Sequence, residues 1–227
     1  MKVVRTARGA RLIQGGAILS EILARPGPTH SLFDLLAALI AELAPGPRIA
    51  LLGFAGGGLL APLRAMGFEG PIEAVDLDHQ AVPLFWELSS AWAGQVSIVE
   101  SDAASWLCQQ APFDLIVEDL SVEGEEGETK PELSWQALPG ILAAKVAPGG
   151  VVVTNLLPVR GVSWNSLQSE LAAPFAEARL LELTEYENRV LVCGECLPEA
   201  RKMTRDLRRA MEGIRSKQAR LFRSRKI

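Results

Sequence analysis

The feature that most constrains this chain is a succession of short apolar runs, each separated from the next by enough residues for one helix. Arg48–Leu52, Ile72–Val75, Val96–Val99 and Asp114–Val117 form the series, and Val151–Thr154 follows Pro148-Gly149-Gly150. Runs this short and this apolar read as strands buried on both faces. The segments between them read as helices: Leu59–Met66, a stretch capped by Asp78 and running to Ser90, Ala103–Gln110 and Trp135–Val146. Strands alternating with helices build a mostly parallel sheet covered on both faces, so the predicted class is α/β, doubly wound. The end of the series differs. A helix over Ser163–Ala178 precedes Arg179–Thr184 and Arg189–Cys193, which are joined only by Glu185-Tyr186-Glu187-Asn188. That link is too short for a helical crossover, which predicts an antiparallel hairpin.

Three segments follow from this reading. Residues 1–45 hold a short hairpin over Arg11–Ser20 and a helix over Ser31–Leu43; residues 46–197 hold the sheet; residues 198–227 read as a basic helical tail. The tail is the sharpest compositional break. From Arg201 to Ile227 it carries eleven Lys and Arg against Asp206 and Glu212, or +9, so residues 1–200 carry −13 of the overall −4. A basic helix lying on an acidic surface, of this chain or of a homodimer mate, is the favoured reading. Binding nucleic acid through phosphates is the less favoured one, because Phe222 is the tail's only aromatic and the acidic body would repel a polyanion.

Other classes are set aside by composition. The 48% apolar content is too high for general disorder, and no run approaches the roughly 18–20 residues of a membrane span. Lys2, Arg5, Arg8 and Arg11 precede an apolar stretch broken by Gln14, Gly15 and Gly16, a poor signal peptide. Cys108, Cys193 and Cys196 are an odd, small set, which favours a reducing cytoplasm. Cys193-x-x-Cys196 lacks a second Cys/His pair, and the only histidines are His30 and His79, so no metal is expected there.

Chemistry points to the carboxyl ends of the strands. Gly53-Phe54-Ala55-Gly56-Gly57-Gly58 lies between a strand and a helix, where glycines let the chain turn and let a ligand approach backbone N–H groups. Asp76, 23 residues after Gly53, ends the second strand and can accept hydrogen bonds from both ribose hydroxyls. Asp102 ends the third strand, where a carboxylate can accept from an adenine amino group and the small Ala103 leaves room for the ring. Asp119 ends the fourth. With Glu118, Glu123, Glu125, Glu126 and Glu128 it makes six carboxylates that would attract a cationic acceptor, unless the loop is merely solvated or docks the basic tail.

In this order, Arg48–Gly58, Ala74–Asp78, Ser101–Ala103, Phe113–Asp119 and Ala147–Gly150 resemble class I S-adenosylmethionine-dependent methyltransferases, and most closely their spermidine synthase (polyamine aminopropyltransferase) branch. That branch has a Gly-Gly-Gly-Asp-Gly-Gly signature where this chain has Gly53–Gly58, an acid-x-Asp at Asp76-Leu77-Asp78 and an Asp-Ala at Asp102-Ala103. Its catalytic Asp, five after the Asp of the fourth strand, falls on Asp119; Gln14–Glu21 is similar to its N-terminal hairpin, with His30 in the place of its His. The resemblance spans about residues 11–197. It implies a Rossmann-like, seven-stranded, mostly parallel sheet ending in a hairpin. It also implies an S-adenosylmethionine, decarboxylated S-adenosylmethionine or methylthioadenosine site formed by Gly53, Phe54, Gly56, Gly58, Asp76, Leu77, Asp102, Ala103 and His30, with Asp119 catalytic.

The departures bear on the reaction. Gly56 stands where the branch has the Asp that holds the cofactor's amino group, Val122 where it has a second loop Asp, Thr29 where it has Tyr, and Ile18 where it has Gln. Nucleoside-holding positions are kept while amine-holding positions are changed, which tips the expectation toward methyl transfer to a small-molecule acceptor. Aminopropyl transfer and a silent nucleoside-binding relative are the alternatives. A nicotinamide oxidoreductase is disfavoured although Gly56-x-Gly58-x-x-Ala61 fits the dinucleotide pattern, because some 45 residues precede the sheet and a hairpin ends it.

Overall fold

In the computed structural model, which describes residues 1–124 and 127–227, the main sheet has eight strands. They are β4 (Ile49–Leu52), β5 (Ile72–Asp76), β6 (Val96–Glu100), β7 (Phe113–Glu118), β10 (Val146–Leu156), β11 (Glu177–Leu183), β12 (Arg189–Gly194) and β13 (Phe222–Lys226). Their spatial order is β13-β11-β12-β10-β7-β4-β5-β6. The five strands from β10 to β6 are parallel neighbours, and β12, β11 and β13 are antiparallel additions. The α/β class and the terminal hairpin are therefore as expected, and the eighth strand comes from the tail.

Two apolar layers enclose the sheet. On one face lie α1 (Leu32–Leu43), α2 (Leu60–Ala65), α3 (Val82–Ser89) and α7 (Ala200–Gly213); on the other lie α4 (Ala103–Cys108), α5 (Leu138–Lys145) and α6 (Trp164–Ala172). The central strand β4, Ile-Ala-Leu-Leu, is buried throughout, which is why it shows no polar alternation. Ser31 caps α1 by accepting from the Phe33 N–H, and the unbroken apolar run Leu35–Ile40 behind it is fully buried.

Helix boundaries differ from expectation where local chemistry competes. Asp78 does not cap α3: its Oδ1 accepts from the Gln80 N–H at 2.7 Å in a turn of its own, and the helix begins after Ala81 with Pro83 in its first turn. Helix α6 stops at Ala172, six residues early, because Pro174 disfavours helical backbone before it. The Trp135–Val146 segment begins as helix only at Leu138, after a separate 3-10 turn over Glu132–Ser134.

The N-terminal hairpin is larger than expected. β1 (Lys2–Thr6), β2 (Gly9–Gln14) and β3 (Ala17–Leu23) make a separate three-stranded antiparallel sheet. A further small hairpin, β8 (Val122–Gly124) with β9 (Gly127–Thr129), follows β7; the expected acidic residues Glu125 and Glu126 lie outside the described residues. Among the described residues no helix is long and apolar enough to cross a membrane.

Among the described residues no ion pair joins the tail to the acidic loop after β7. Met203, Leu207 and Met211 of α7 are buried in the core layer that contains α1, and Phe222 joins them. Its ion pairs to the body run from Arg209 to Glu42 and from Arg223 and Arg225 to Glu182. Hydrophobic burial holds the tail, and charge is secondary.

Candidate active site

The strand order reverses between β4 and β7, since β5 and β6 continue on one side of β4 and β10 on the other side of β7. The crevice beyond the carboxyl ends at such a switch point is where open α/β sheets bind ligands. Gly53 follows β4, and Asp119 follows β7, so the fold brings these two together. The Asp119 N–H donates to the Leu52 carbonyl at 2.8 Å. Gly53 has φ +87°, and a Cβ there would stand 2.7 Å from the Asp119 carbonyl oxygen. Both facts require glycine at this position.

Asp76 organises the glycine turn. Its Oδ2 accepts from the Phe54 N–H at 2.7 Å and the Ala55 N–H at 2.6 Å, while Oδ1 accepts from the Asp78 N–H at 2.9 Å. A carboxylate has about four acceptor positions, so roughly one remains for a ribose hydroxyl. Leu77 beside it is 72% exposed, an apolar surface at the crevice. Asp102 caps α4 through Oδ1, which accepts from the Ser105 N–H at 2.8 Å, and Ala103 is nearly buried behind it.

Gly56 and Gly58 are small for another reason. A Cβ on Gly56 would stand 2.7 Å from Leu12 Cδ1 and 2.8 Å from Ile22 Cγ1, and one on Gly58 would meet the Phe33 ring and Ser20 Oγ at 2.9 Å. The N-terminal sheet and α1 thus press onto the turn. A carboxylate at position 56 would be forced among apolar side chains, which accounts physically for the missing Asp. Ser20 Oγ is buried beside this turn and has no hydrogen-bond partner among the described residues.

Asp119 is half-buried, and burial pushes its carboxyl up to about 6. Lys130 and the hydrogen bond from Asn155 Nδ2, 2.6 Å to Oδ1, oppose that rise, while Glu118 and Glu128 add to it. Asn188 Nδ2 in turn donates to Asn155 Oδ1 at 3.0 Å, which orients the Asn155 amide. Asp119 is thereby held rigidly and titrates near neutrality, as a general base should.

Glu118 is not part of an acceptor-facing acidic surface. Its side chain is wholly buried, and Lys130 Nζ, itself buried, lies 2.8 Å from both of its oxygens. Ser134 Oγ donates to Oε1 at 2.9 Å, and Lys130 Nζ also donates to the Leu120 carbonyl at 2.8 Å. This buried pair anchors the segment that carries Asp119. Of the other expected carboxylates, Glu123 accepts weakly from Gln14 Nε2 at 3.5 Å, and Glu128 is half-buried.

His30 stands at φ +62°, in a layer between the body and the tail. Its N–H donates to Asp34 Oδ2, its Nδ1 accepts from the Lys217 N–H at 3.4 Å, and its carbonyl accepts from Gln218 Nε2. Burial, then the Arg8 charge, lower its pKa, and the Asp34 charge opposes them. The two close cysteines differ in environment: Cys193 is buried, its thiol pushed up to about 12, and Cys196 is exposed. Among the described residues no group of three or more His, Cys, Asp and Glu could hold a metal.

Asn155, Asn188, Lys130 and Ser134 are the functional neighbours that sequence reasoning missed. Asn155 had a usable signal, because it lies next to the end of β10, and β10 pairs in parallel with β7 so that Thr154 faces Glu118. Lys130 is an ordinary surface-type residue in sequence, and only the fold buries it.

No protein-family model matches the chain, and no curated protein matches it. Solved structures do. A probable spermidine synthase from Corynebacterium glutamicum superimposes with a TM-score of 0.74 at 16% identity, covering 98% of this chain and 86% of that one. A spermidine synthase in complex with the transition-state analogue AdoDATO gives a TM-score of 0.66 at 13% identity, over 91% of this chain and 75% of that one. Human methyltransferase-like protein 13, in complex with SAH, gives 0.59 at 18%, over 81% and 90%. The chain therefore has the class I methyltransferase and spermidine synthase fold.

Proposed function

We propose that this chain is a spermidine synthase-like transferase that uses S-adenosylmethionine and moves its methyl group to a small-molecule acceptor, with Asp119 as the base. The observation that carries the reading is Asp119 itself: a carboxyl near pKa 6, held by Asn155, on a residue whose backbone lies against the glycine turn at the topological switch point. When bound, the cofactor would supply a carbon activated by an adjacent sulfonium. The nucleoside end fits the residues present. Asp76 retains one acceptor position for a ribose hydroxyl, Leu77 offers an apolar surface to a base, and the second oxygen of Asp102 is available to an amino group. Ser20 Oγ, buried beside Gly58 and without a hydrogen-bond partner among the described residues, would be a further polar group behind the turn.

At pH 7 most Asp119 side chains are ionised, and each can take the proton that an acceptor's nucleophilic atom loses. Asn155 fixes the carboxylate plane, so the receiving oxygen does not wander. The Glu118–Lys130 pair holds the strand end from beneath. Aminopropyl transfer from decarboxylated S-adenosylmethionine is the second reading; it needs a carboxylate for the cofactor's amine, and Leu12 and Ile22 fill that place beside Gly56. The test is release of S-adenosylhomocysteine from S-adenosylmethionine in the presence of pooled small amines, alcohols and thiols, read by mass spectrometry. Release by the native chain and its loss in Asp119→Asn is expected. Equal release by both would remove Asp119 from the chemistry.

A further inference from the structure

The tail carries a second candidate site that the crevice does not explain. Its apolar face is spent on α1, so its basic face turns outward and lines an open groove of about 760 Å³. Arg201, Arg205, Arg208 and Arg209 come from α7, and Arg220 and Arg223 come from the return toward β13. Glu212 is the one acid among the lining residues. The side chains of Arg205, Arg209, Arg220 and Arg223 are 70–83% exposed. Their pairs with Asp206, Glu42, Glu212 and Glu182 span 2.9–3.7 Å, and because the arginine ends are exposed and each guanidinium has five N–H donors, donors remain for another anion. Thr204 and Ser224, whose hydroxyls lie 2.6 Å apart and reach the Ala200 carbonyl, tie the two walls of the groove together.

We propose that this groove binds the phosphodiester backbone of a nucleic acid strand, through its phosphates and without reading its bases. Arginine forks from two walls suit a line of phosphates, each able to accept two parallel hydrogen bonds. The groove is concave, which suits a narrow polyanionic strand and not a flat anionic membrane; with the apolar face of α7 buried, nothing remains to insert into lipid. The tail's one aromatic, Phe222, is buried, so the site has no stacking platform and no means of preferring one sequence. This inference is independent of the transferase reading.

The test is fluorescence anisotropy of a labelled oligouridylate with the full chain, from low to moderate salt. If about four to six phosphates are engaged, log K falls against log salt with a slope of roughly −3 to −4. Arg205→Glu with Arg220→Glu should weaken binding at least about tenfold and reduce the slope by about 1.4, whereas Lys2→Glu on the N-terminal sheet should change neither. Far-UV circular dichroism checks the fold of the double variant. Should that variant misfold, competition on the native chain decides: displacement by unlabelled oligouridylate or duplex but not by polyglutamate supports the groove. No binding at low salt, equal binding by the double variant, or preference for polyglutamate or phosphatidylserine vesicles overturns the proposal. So does a dimer that the double variant dissociates while oligouridylate fails to bind, which would assign the groove to a second copy.

Discussion

Replacing Asp119 by Asn should stabilise this protein while disabling it, and the gain should depend on pH in a defined direction. In the folded chain the carboxyl titrates near 6, against an ordinary 3.8. Holding the charged form therefore costs up to about 3 kcal/mol, an upper limit because part of the side chain still meets solvent. Between those two values the folded chain keeps a proton that the unfolded chain has released. Native stability thus falls as pH rises from about 4 to about 6, and the Asn variant escapes that fall. The carboxamide oxygen of the variant can still accept from Asn155 Nδ2, so the substitution removes the charge and keeps the hydrogen bond. Urea unfolding followed by tryptophan fluorescence, at about pH 4.5 and about pH 8, measures the difference. The variant should gain roughly 1–3 kcal/mol at the higher pH and much less at the lower. A variant no more stable at pH 8, or equally more stable at both, would refute the argument that burial strains this carboxylate.

Lys130→Met would leave Glu118 charged and buried without its cation, at a cost of about 3–5 kcal/mol; adding Glu118→Gln should restore most of it. Thermal melts check this, and a loss below about 1 kcal/mol would mean the pair is solvated. Deleting residues 199–227 should unfold or aggregate the chain, because Met203, Leu207, Met211 and Phe222 each contribute roughly 1.5–3 kcal/mol and the edge of β11 would lie open. A cooperative melt close to that of the full chain would contradict this. Asp76→Ala should weaken adenosine-ligand binding by roughly 1.5–3 kcal/mol, partly through loss of the Phe54 and Ala55 hydrogen bonds that shape the turn. Unchanged affinity by calorimetry would exclude Asp76 from the site.

The parallel core was legible because its strands carry short apolar runs spaced one helix apart, with Gly53 closing β4, Asp76 ending β5 and Asp119 following β7. The strand order, and with it the switch point where Gly53 meets Asp119, came only with the structure. The edges were harder to read. Phe222-Arg-Ser-Arg-Lys buries one large side chain, so its period is that of a solvated helix as much as of an edge strand; only the ladder with β11 decides. The same holds for Lys2–Thr6, whose burial is slight throughout. Gly56 and Gly58 were read as room for a ligand, and the structure shows them also as room for Leu12, Ile22 and Phe33, which come from distant parts of the chain. Likewise, Glu118 counts as one more acid in sequence and becomes a neutralised anchor only once Lys130 folds beneath it.

The central claim is tested most directly by calorimetric titration of the purified chain with S-adenosylmethionine, decarboxylated S-adenosylmethionine and methylthioadenosine in parallel. The account predicts binding to all three through the nucleoside, with S-adenosylmethionine tightest, since no carboxylate stands beside Gly56 to favour the decarboxylated arm. Tightest binding of decarboxylated S-adenosylmethionine, or no heat with any of the three, would contradict it.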